Sequence, residues 1–484
     1  MGRHREASRD LMRQLEELLA RVDKLETELK ETKEAHRIEV SKLNNRIVGL
    51  ESENERLRKD NDRMKRQLSN NSSNSSLPPS TNRQARRANK FNSRTKSDKP
   101  VGAQVGHKGK TLTKEDAVEL IATGEFKHTI ISVGDETAHY VSKYVIDLKT
   151  IPVITEHRFY HEQGINPSIP SELRSNVTYG NTVRAIAVDL YAEGAVSNDR
   201  ICEFINAISG NKLNISTGSI YHFCKQFANK CEGEIDLITN KLLNSDVALT
   251  DATHIKNNGK QAYIRNQSTN EWVLYTGFES KRKDELAERG IFSNFTGTFV
   301  HDHETALYNF GTGNAECNVH LIRYLKKNDE EAKNSWSSEM RTLMSEMNRM
   351  RKQHIEKKTR FTISEISDYE QAFDELLIMG RNQNKSTKNL LAKTEEKKLL
   401  NRLEKYKGNH LLFLHDFSVP FDNNLSERDL RKCKTKTKVS GGFRKSSGVE
   451  MYCTIMSVIQ SAKRQGKSLF TSINNVLNNV PVFD

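Results

Sequence analysis

DVALTDAT (residues 246–253), GTFVHDHETALYNF (297–310) and FDNNLSERDLRK (421–432) decide how this chain is read. The first two contain short apolar runs ending in an acid, Asp251 and Asp302, and read as strands. The third opens a polar, basic helical pattern with Glu427 near its start. Carboxylates at two strand ends and a helix start can converge in one cleft and hold two divalent cations. Such a pair drives in-line attack on a phosphodiester.

The rest of the composition agrees with a polyanionic partner. The 484 residues carry 76 Lys+Arg against 63 Asp+Glu, a formal charge of +13. A basic surface steers nucleic acid. Apolar runs all fall short of the ~20 residues a membrane helix needs, and MGRHREASRD lacks a hydrophobic signal region. Six scattered cysteines form no C-x-x-C pair. No disulfide scaffold is expected, and the expected location is a reducing cytoplasm.

Working outward, residues 9–68 read as one long helix. Apolar residues recur at steps of four and three through Leu11, Leu15, Leu18, Val22, Leu25 and Leu29. After an irregularity at Thr32 and His36 they resume at Val40, Leu43, Ile47, Leu50, Leu57, Met64 and Leu68. That seam predicts a homo-oligomeric coiled coil. Residues 69–110 are rich in Ser, Asn, Pro and Lys/Arg and read as a disordered basic linker, whose Arg86 and Arg87 are candidates for the DNA backbone.

Residues 111–170 alternate polar and apolar and predict a small β-rich module. Residues 171–245 predict a helical, helix-turn-helix-like DNA-binding domain, with Ser216 or Thr217 capping its second helix. From Asp246 the period changes to three strands, a helix and a fourth strand, matching the opening of an RNase H-like fold. Residues 246–327 and 409–484 would form the two parts of that core, separated by a helical insertion at 328–408. The expected fold is therefore a multidomain α/β (α+β) chain.

The sequence resembles the IS-sixty-six family of bacterial insertion-sequence transposases along most of its length. NNSSNSSLPPS after the long helix resembles that family's Asn/Ser/Pro linker. KPVGAQVGHKGK resembles its Gly-His-Lys-Gly segment. CNVHLIRYL (317–325) resembles its Cys-x-x-His-x-x-Arg box, and FDNNLSERDLRKCK (421–434) its Asp-Asn-Asn-x-x-Glu-Arg-x-x-Arg box. The resemblance implies a DDE transposase with the triad Asp251, Asp302 and Glu427 as catalytic residues and metal ligands. It further implies Mg²⁺ or Mn²⁺, DNA ends and target DNA as partners, and small accessory proteins. The family's paired cysteines are missing from 111–201, which disfavours zinc. Ala252 stands where the family often has Glu, and the Arg-Lys-Asn-Trp wording after the third box is absent.

Bland readings stand beside these. Strand-end aspartates are usually structural, and Glu427 is spaced to pair with Arg431 on its own helix. Asp422 and Asn423 are accessory candidates, Asp422 more as a cap than a ligand. Cys317, His320 and Arg323 are accessory candidates too. Arg428, Arg431, Lys434, Lys436, Lys438, Arg444 and Lys445 are the expected phosphate contacts, and Gly441-Gly442 a place where backbone approaches a ligand. The rival expectations are a catalytically inactive, transposase-derived scaffold and a coiled-coil structural protein.

Overall fold

A computed structural model describes residues 2–69, 113–124, 126–132, 139, 141–148, 151–161 and 166–483. The long N-terminal pattern is a single helix, α1 (Gly2–Ser69). Its seam residues Leu18, Val22, Leu25, Leu29, Leu43, Ile47 and Leu50 are all exposed in the isolated chain. The rest of the linker at 70–110, with Arg86 and Arg87, lies outside the described residues.

The β-rich module expected at 111–170 needs correction. Its described residues hold a helix, α2 (Lys114–Ala122), and no strand. A capping box between Thr113 and Asp116 starts α2. The alternating stretches beyond it leave Ile131, Val145, Leu148 and Ile154 more than four-fifths exposed. Alternation supplies a face, but a strand forms only where that face is buried.

Four helices follow: α3 (Asn181–Ala192), α4 (Asn198–Ile208), α5 (Thr217–Lys230) and α6 (Glu232–Leu243). Ser216 caps α5 by accepting from the Ser219 amide at 3.2 Å. These helices do not bury a core of their own. Ile201, Ile220, Phe227 and Ile238 join Val273, Tyr275, Tyr452 and Ile455 in one apolar cluster.

The sheet contains β1 (Val247–Asn257), β2 (Lys260–Ser268), β3 (Val273–Phe278), β4 (Thr298–His301) and β5 (Gly313–Glu316), in the order β3-β2-β1-β4-β5. A short helix, α7 (Lys283–Glu288), precedes β4. The first three strands are antiparallel, while β4 and β5 run parallel to β1. Asn258 and Gly259 both adopt positive φ, 49° and 73°, which suits the tight β1–β2 hairpin.

Strand alternation splits the core in two. Ala248 and Phe299, paired across β1 and β4, face the cluster containing α3–α6. Leu249, Val300 and Ala315 face a second cluster that includes Trp336, Met340, Phe373 and Leu400. That second layer comprises α8 (Asn318–Ala332), α9 (Trp336–Glu356), α10 (Ile363–Ser386), α11 (Leu390–Lys405) and α12 (Lys407–His415).

The chain closes with α13 (Asn424–Ser440), α14 (Ser446–Arg464) and α15 (Leu469–Leu477). Gly442, at φ 131°, brings its backbone against β1: a Cβ there would lie 2.7 Å from the Lys256 carbonyl oxygen. The close approach expected of Gly441-Gly442 is thus to a strand end. Gly441, at φ 71°, ends α13.

α14 also closes the outer edge of β3. The Tyr275 and Val273 amides donate to Ser457 Oγ at 2.8 Å and Ser461 Oγ at 3.0 Å. A buried amide without an acceptor costs about 1–3 kcal/mol. Ser457→Ala and Ser461→Ala should each lower the unfolding free energy by that order, read as a lower urea midpoint with an unchanged denaturant slope.

Candidate active site

Asp251 and Asp302 come together because of strand register. β1 and β4 pair in parallel as Val247↔Thr298, Ala248↔Phe299 and Leu249↔Val300. Two residues further along each chain, the two aspartates stand level, about 5 Å apart in the sheet. Asp302 directly follows the carboxyl end of β4, whereas Asp251, expected to end its strand, lies in the middle of β1, whose hairpin with β2 runs on to Asn257. Burial, and then the charge of Asp302, push the Asp251 carboxyl up to about 6. The Asp251 amide donates to Asn266 Oδ1 at 3.0 Å, across the hairpin.

Glu427 arrives on the first turn of α13. Its helix start is pinned by buried Asn423, whose Nδ2 donates to the Thr250 carbonyl at 2.8 Å and whose amide donates to Cys317 Sγ at 3.2 Å. Asp422 accepts from the Asn424 amide at 3.0 Å in a turn just before the helix; the cap position itself is held by Asn423, so Asp422 is not the cap expected of it. One turn on, Asp429 accepts from Asn266 Nδ2 at 2.8 Å and pairs with Arg464. β1, β2, α13 and α14 are thereby tied together behind the site.

His320, on the first turn of α8, stands between two of the carboxylates. Its Nδ1 is 2.8 Å from Asp302 Oδ1 and its Nε2 is 3.7 Å from Glu427 Oε1. One imidazole thus separates the two, so these oxygens are no more than roughly 9 Å apart, a span that ions about 4 Å apart can bridge. Arg323 lies 4.0 Å from Glu427 Oε1. Among the described residues the ion-pair partners of Glu427 are these two groups on α8, not Arg431 on its own helix.

The Asp302, Cys317 and His320 ligand atoms all lie within 4.8 Å of one another. Arg323 Nη1 donates to His320 Nε2 at 3.2 Å, which leaves the proton on Nδ1, facing Cys317 Sγ at 3.3 Å. In this arrangement His320 is a donor rather than a metal ligand. Burial pushes the Cys317 thiol well above its usual range.

The donor set fits a hard divalent cation. Asp302 Oδ1 and Glu427 Oε1 are buried oxygens that accept no hydrogen bond. With Asp251 they offer three carboxylates, the ligands that Mg²⁺ takes alongside its waters.

The basic residues separate into two groups. Arg428, Arg431, Lys434 and Lys438 recur at steps of three and four on the exposed face of α13, with exposed Arg444 and Lys445 beyond it. Lys436 must be removed from the expected phosphate contacts. It is 3% exposed, and its Nζ donates to the Tyr191 and Val196 carbonyls at 3.0 Å each. Burial pushes it down to about 8. It falls on the inward stripe of α13 with Leu430 and Cys433.

Sequence reasoning passed over Arg265, Asn266, Asp429, Glu304 and Glu316. Arg265 is 1% exposed and pairs with Glu304 beside Asp302. A signal existed: Arg265-Asn266-Gln267-Ser268 is a polar run inside a buried strand, and burying polar groups is costly unless they find partners, as Arg265 and Asn266 do.

Parallel-strand carboxylates beside an exposed cationic helix face have the donor set for a divalent cation next to charges suited to a polyanion. The chain belongs to the Transposase IS66 family, whose profile matches residues 176–451. Residues 27–113 match a family of unknown function (DUF6444). No curated protein matches the chain. Membership carries transposition as the function, with DNA binding and a DNA-processing activity, and the family generally works with divalent metal ions. Among the described residues no helix is long and apolar enough to cross a membrane.

The raised Asp251 pKa has a stability consequence. Its folded value, about 6, exceeds the ~4 of an unfolded aspartate, so the group costs stability at every pH above the folded value, on the order of 2 kcal/mol. The cost fades as pH falls from about 6 towards 4. Without added metal, Asp251→Asn should therefore raise Tm at pH 7, and the gain should vanish near pH 4.

Proposed function

We propose that the protein is a DDE transposase that cleaves the ends of an insertion sequence and joins them to target DNA. Asp251, Asp302 and Glu427 would hold two Mg²⁺ or Mn²⁺ ions. The sheet order β3-β2-β1-β4-β5, three strands antiparallel and two parallel, supports an RNase H-like core. The observation that carries the reading is the level pairing of Asp251 and Asp302, with Glu427 across one imidazole from Asp302.

Bound divalent cations supply Lewis-acid activation of the attacking oxygen and charge stabilisation on the leaving oxygen. The chain's own residues supply position. Asn423 and Asn266 fix the carboxylate-bearing elements, and His320 keeps Asp302 and Glu427 apart at a set distance. Arg428, Arg431, Lys434 and Lys438 would hold the phosphate backbone. In the first step a water oxygen displaces the 3′ oxygen at phosphorus, leaving a 3′-hydroxyl and a 5′-phosphate. In the second that hydroxyl attacks a target phosphodiester, with loss of its proton, and displaces one strand end.

Asp251→Asn and Glu427→Gln should each reduce cleavage of the element's ends at least a thousandfold while end binding stays within about threefold. Normal cutting by either variant ends the triad assignment, and a wild-type protein that binds ends without cutting them in Mg²⁺ would be a scaffold.

The exposed seam of α1 supports a coiled coil between copies of the chain. Leu25→Glu with Leu43→Glu should convert an oligomer to a monomer in light scattering.

A further inference from the structure

The Asp302 loop is held from both sides, and one of the holding groups belongs to the helical insertion. On one flank Glu304 pairs with buried Arg265 and with Lys281 at 3.4 Å. On the other, His303 sits at φ 48°, a left-handed backbone that side chains with a β-carbon disfavour. Its Nδ1 meets Glu316 Oε1, where Tyr308 also donates its hydroxyl proton. Glu316 is 1% exposed at the end of β5. Its other oxygen, Oε2, accepts from Arg402 Nη2 at 2.7 Å. Arg402 lies on α11, far along the chain within the insertion.

Further contacts brace the same corner. The rings of Tyr308 and Tyr406 stack at 4.6 Å, and Tyr406 meets the His303 ring edge-on at 5.0 Å. The Arg402 guanidinium lies 5.3 Å from the Tyr324 ring centre. Asn409 Nδ2 donates to the Asn314 carbonyl of β5 at 2.6 Å. Burial opposes a charge on Glu316, yet the bond from His303, with Arg402 and the Tyr308 bond among the smaller causes, holds its carboxyl well below the usual range. It is therefore a fixed anion wedged between the insertion and the residue after Asp302.

We propose that Glu316 and Arg402 are positioning residues for divalent-metal binding: the insertion, through Arg402, Glu316 and His303, sets the direction of the Asp302 carboxylate. The inference rests on Asp302 being a metal ligand, as read above. It makes the insertion part of the metal site rather than a spacer between the second and third carboxylates. Preorganised ligands bind with less reorganisation, so a loosened loop shows first as weaker metal affinity.

The test is Mn²⁺ binding followed by electron paramagnetic resonance on the full chain without DNA, beside cleavage at varied Mn²⁺. Arg402→Gln should raise the half-saturating Mn²⁺ at least tenfold in both measurements, with cleavage recovering to within about threefold at saturating metal. Tyr308→Phe, which removes one bond to Glu316 and leaves the ion pair, should raise it about threefold. Glu396→Gln is the structural control. Glu396 is buried in the insertion, where it accepts from Trp336 and Asn384, away from Asp302. It should lower Tm without moving the Mn²⁺ curve.

A folded Arg402→Gln protein with an unmoved curve overturns the proposal, as does a Glu396→Gln curve that moves equally. If Arg402→Gln does not fold, an unmoved Tyr308→Phe curve overturns it. Asp302→Asn separates the two levels. If it leaves Mn²⁺ binding intact, the metal reading itself fails. If it abolishes binding while Arg402→Gln does nothing, only the strut fails.

Discussion

Two carboxylates level on adjacent parallel strands repel each other, and much of this structure is arranged around that repulsion. The charge of Asp302 helps to raise the Asp251 carboxyl. Opposing it are Arg265 and Lys281, which act on Asp251 and also pair with Glu304. These cations do not bond to the aspartates directly. They neutralise the surroundings, and His320 Nδ1, 2.8 Å from Asp302 Oδ1, makes no aligned hydrogen bond to it. A site that satisfied every carboxylate oxygen internally would have nothing to offer a cation.

α13 is the element on which this depends most. Its start is bonded to β1 through Asn423, its second turn to β2 through Asp429, and its middle to α3 through Lys436 and Lys432. Each bond replaces a loss that burial would otherwise impose on a polar group. The opposite face carries Arg428, Arg431, Lys434 and Lys438, all exposed. One helix therefore fixes the third carboxylate, locks two layers together and presents a cationic stripe beginning at the site.

That double duty explains what could be read from the sequence. The strand end at Asp302, the helix start at Glu427 and the helix carrying the apolar seam of α1 follow from local period and composition and are found as those elements, whereas β1 runs past Asp251 to Asn257 because the polar residues beyond it pair with β2. Lys436 was misread because charge was counted along the run without regard to the helical stripe it shares with Leu430 and Cys433. β5 was missed because GNAE is four residues with no apolar period; its place comes from pairing with β4. The alternation at 126–161 is legible, but among its described residues Ile131, Val145, Leu148 and Ile154 have no surface covering them. Arg402 and Glu316 could not be paired from sequence, since the fold alone brings α11 to the end of β5.

The position of the insertion follows from the same geometry. The chain leaves the sheet at Cys317, whose amide donates to the His301 carbonyl at 2.9 Å, and returns at Phe421, whose carbonyl accepts from the Asn318 amide at 3.1 Å. The two ends of the helical layer that carries the insertion are thus a hydrogen bond apart, both beside the carboxylates. Loop-closure cost grows only slowly with length once the ends are fixed, about 0.6 kcal/mol per doubling. A large helical layer can therefore sit between the second and third acids without displacing either. What ties its interior to the chemistry is side-chain contact, and the buried Glu316–Arg402 pair makes that contact next to Asp302.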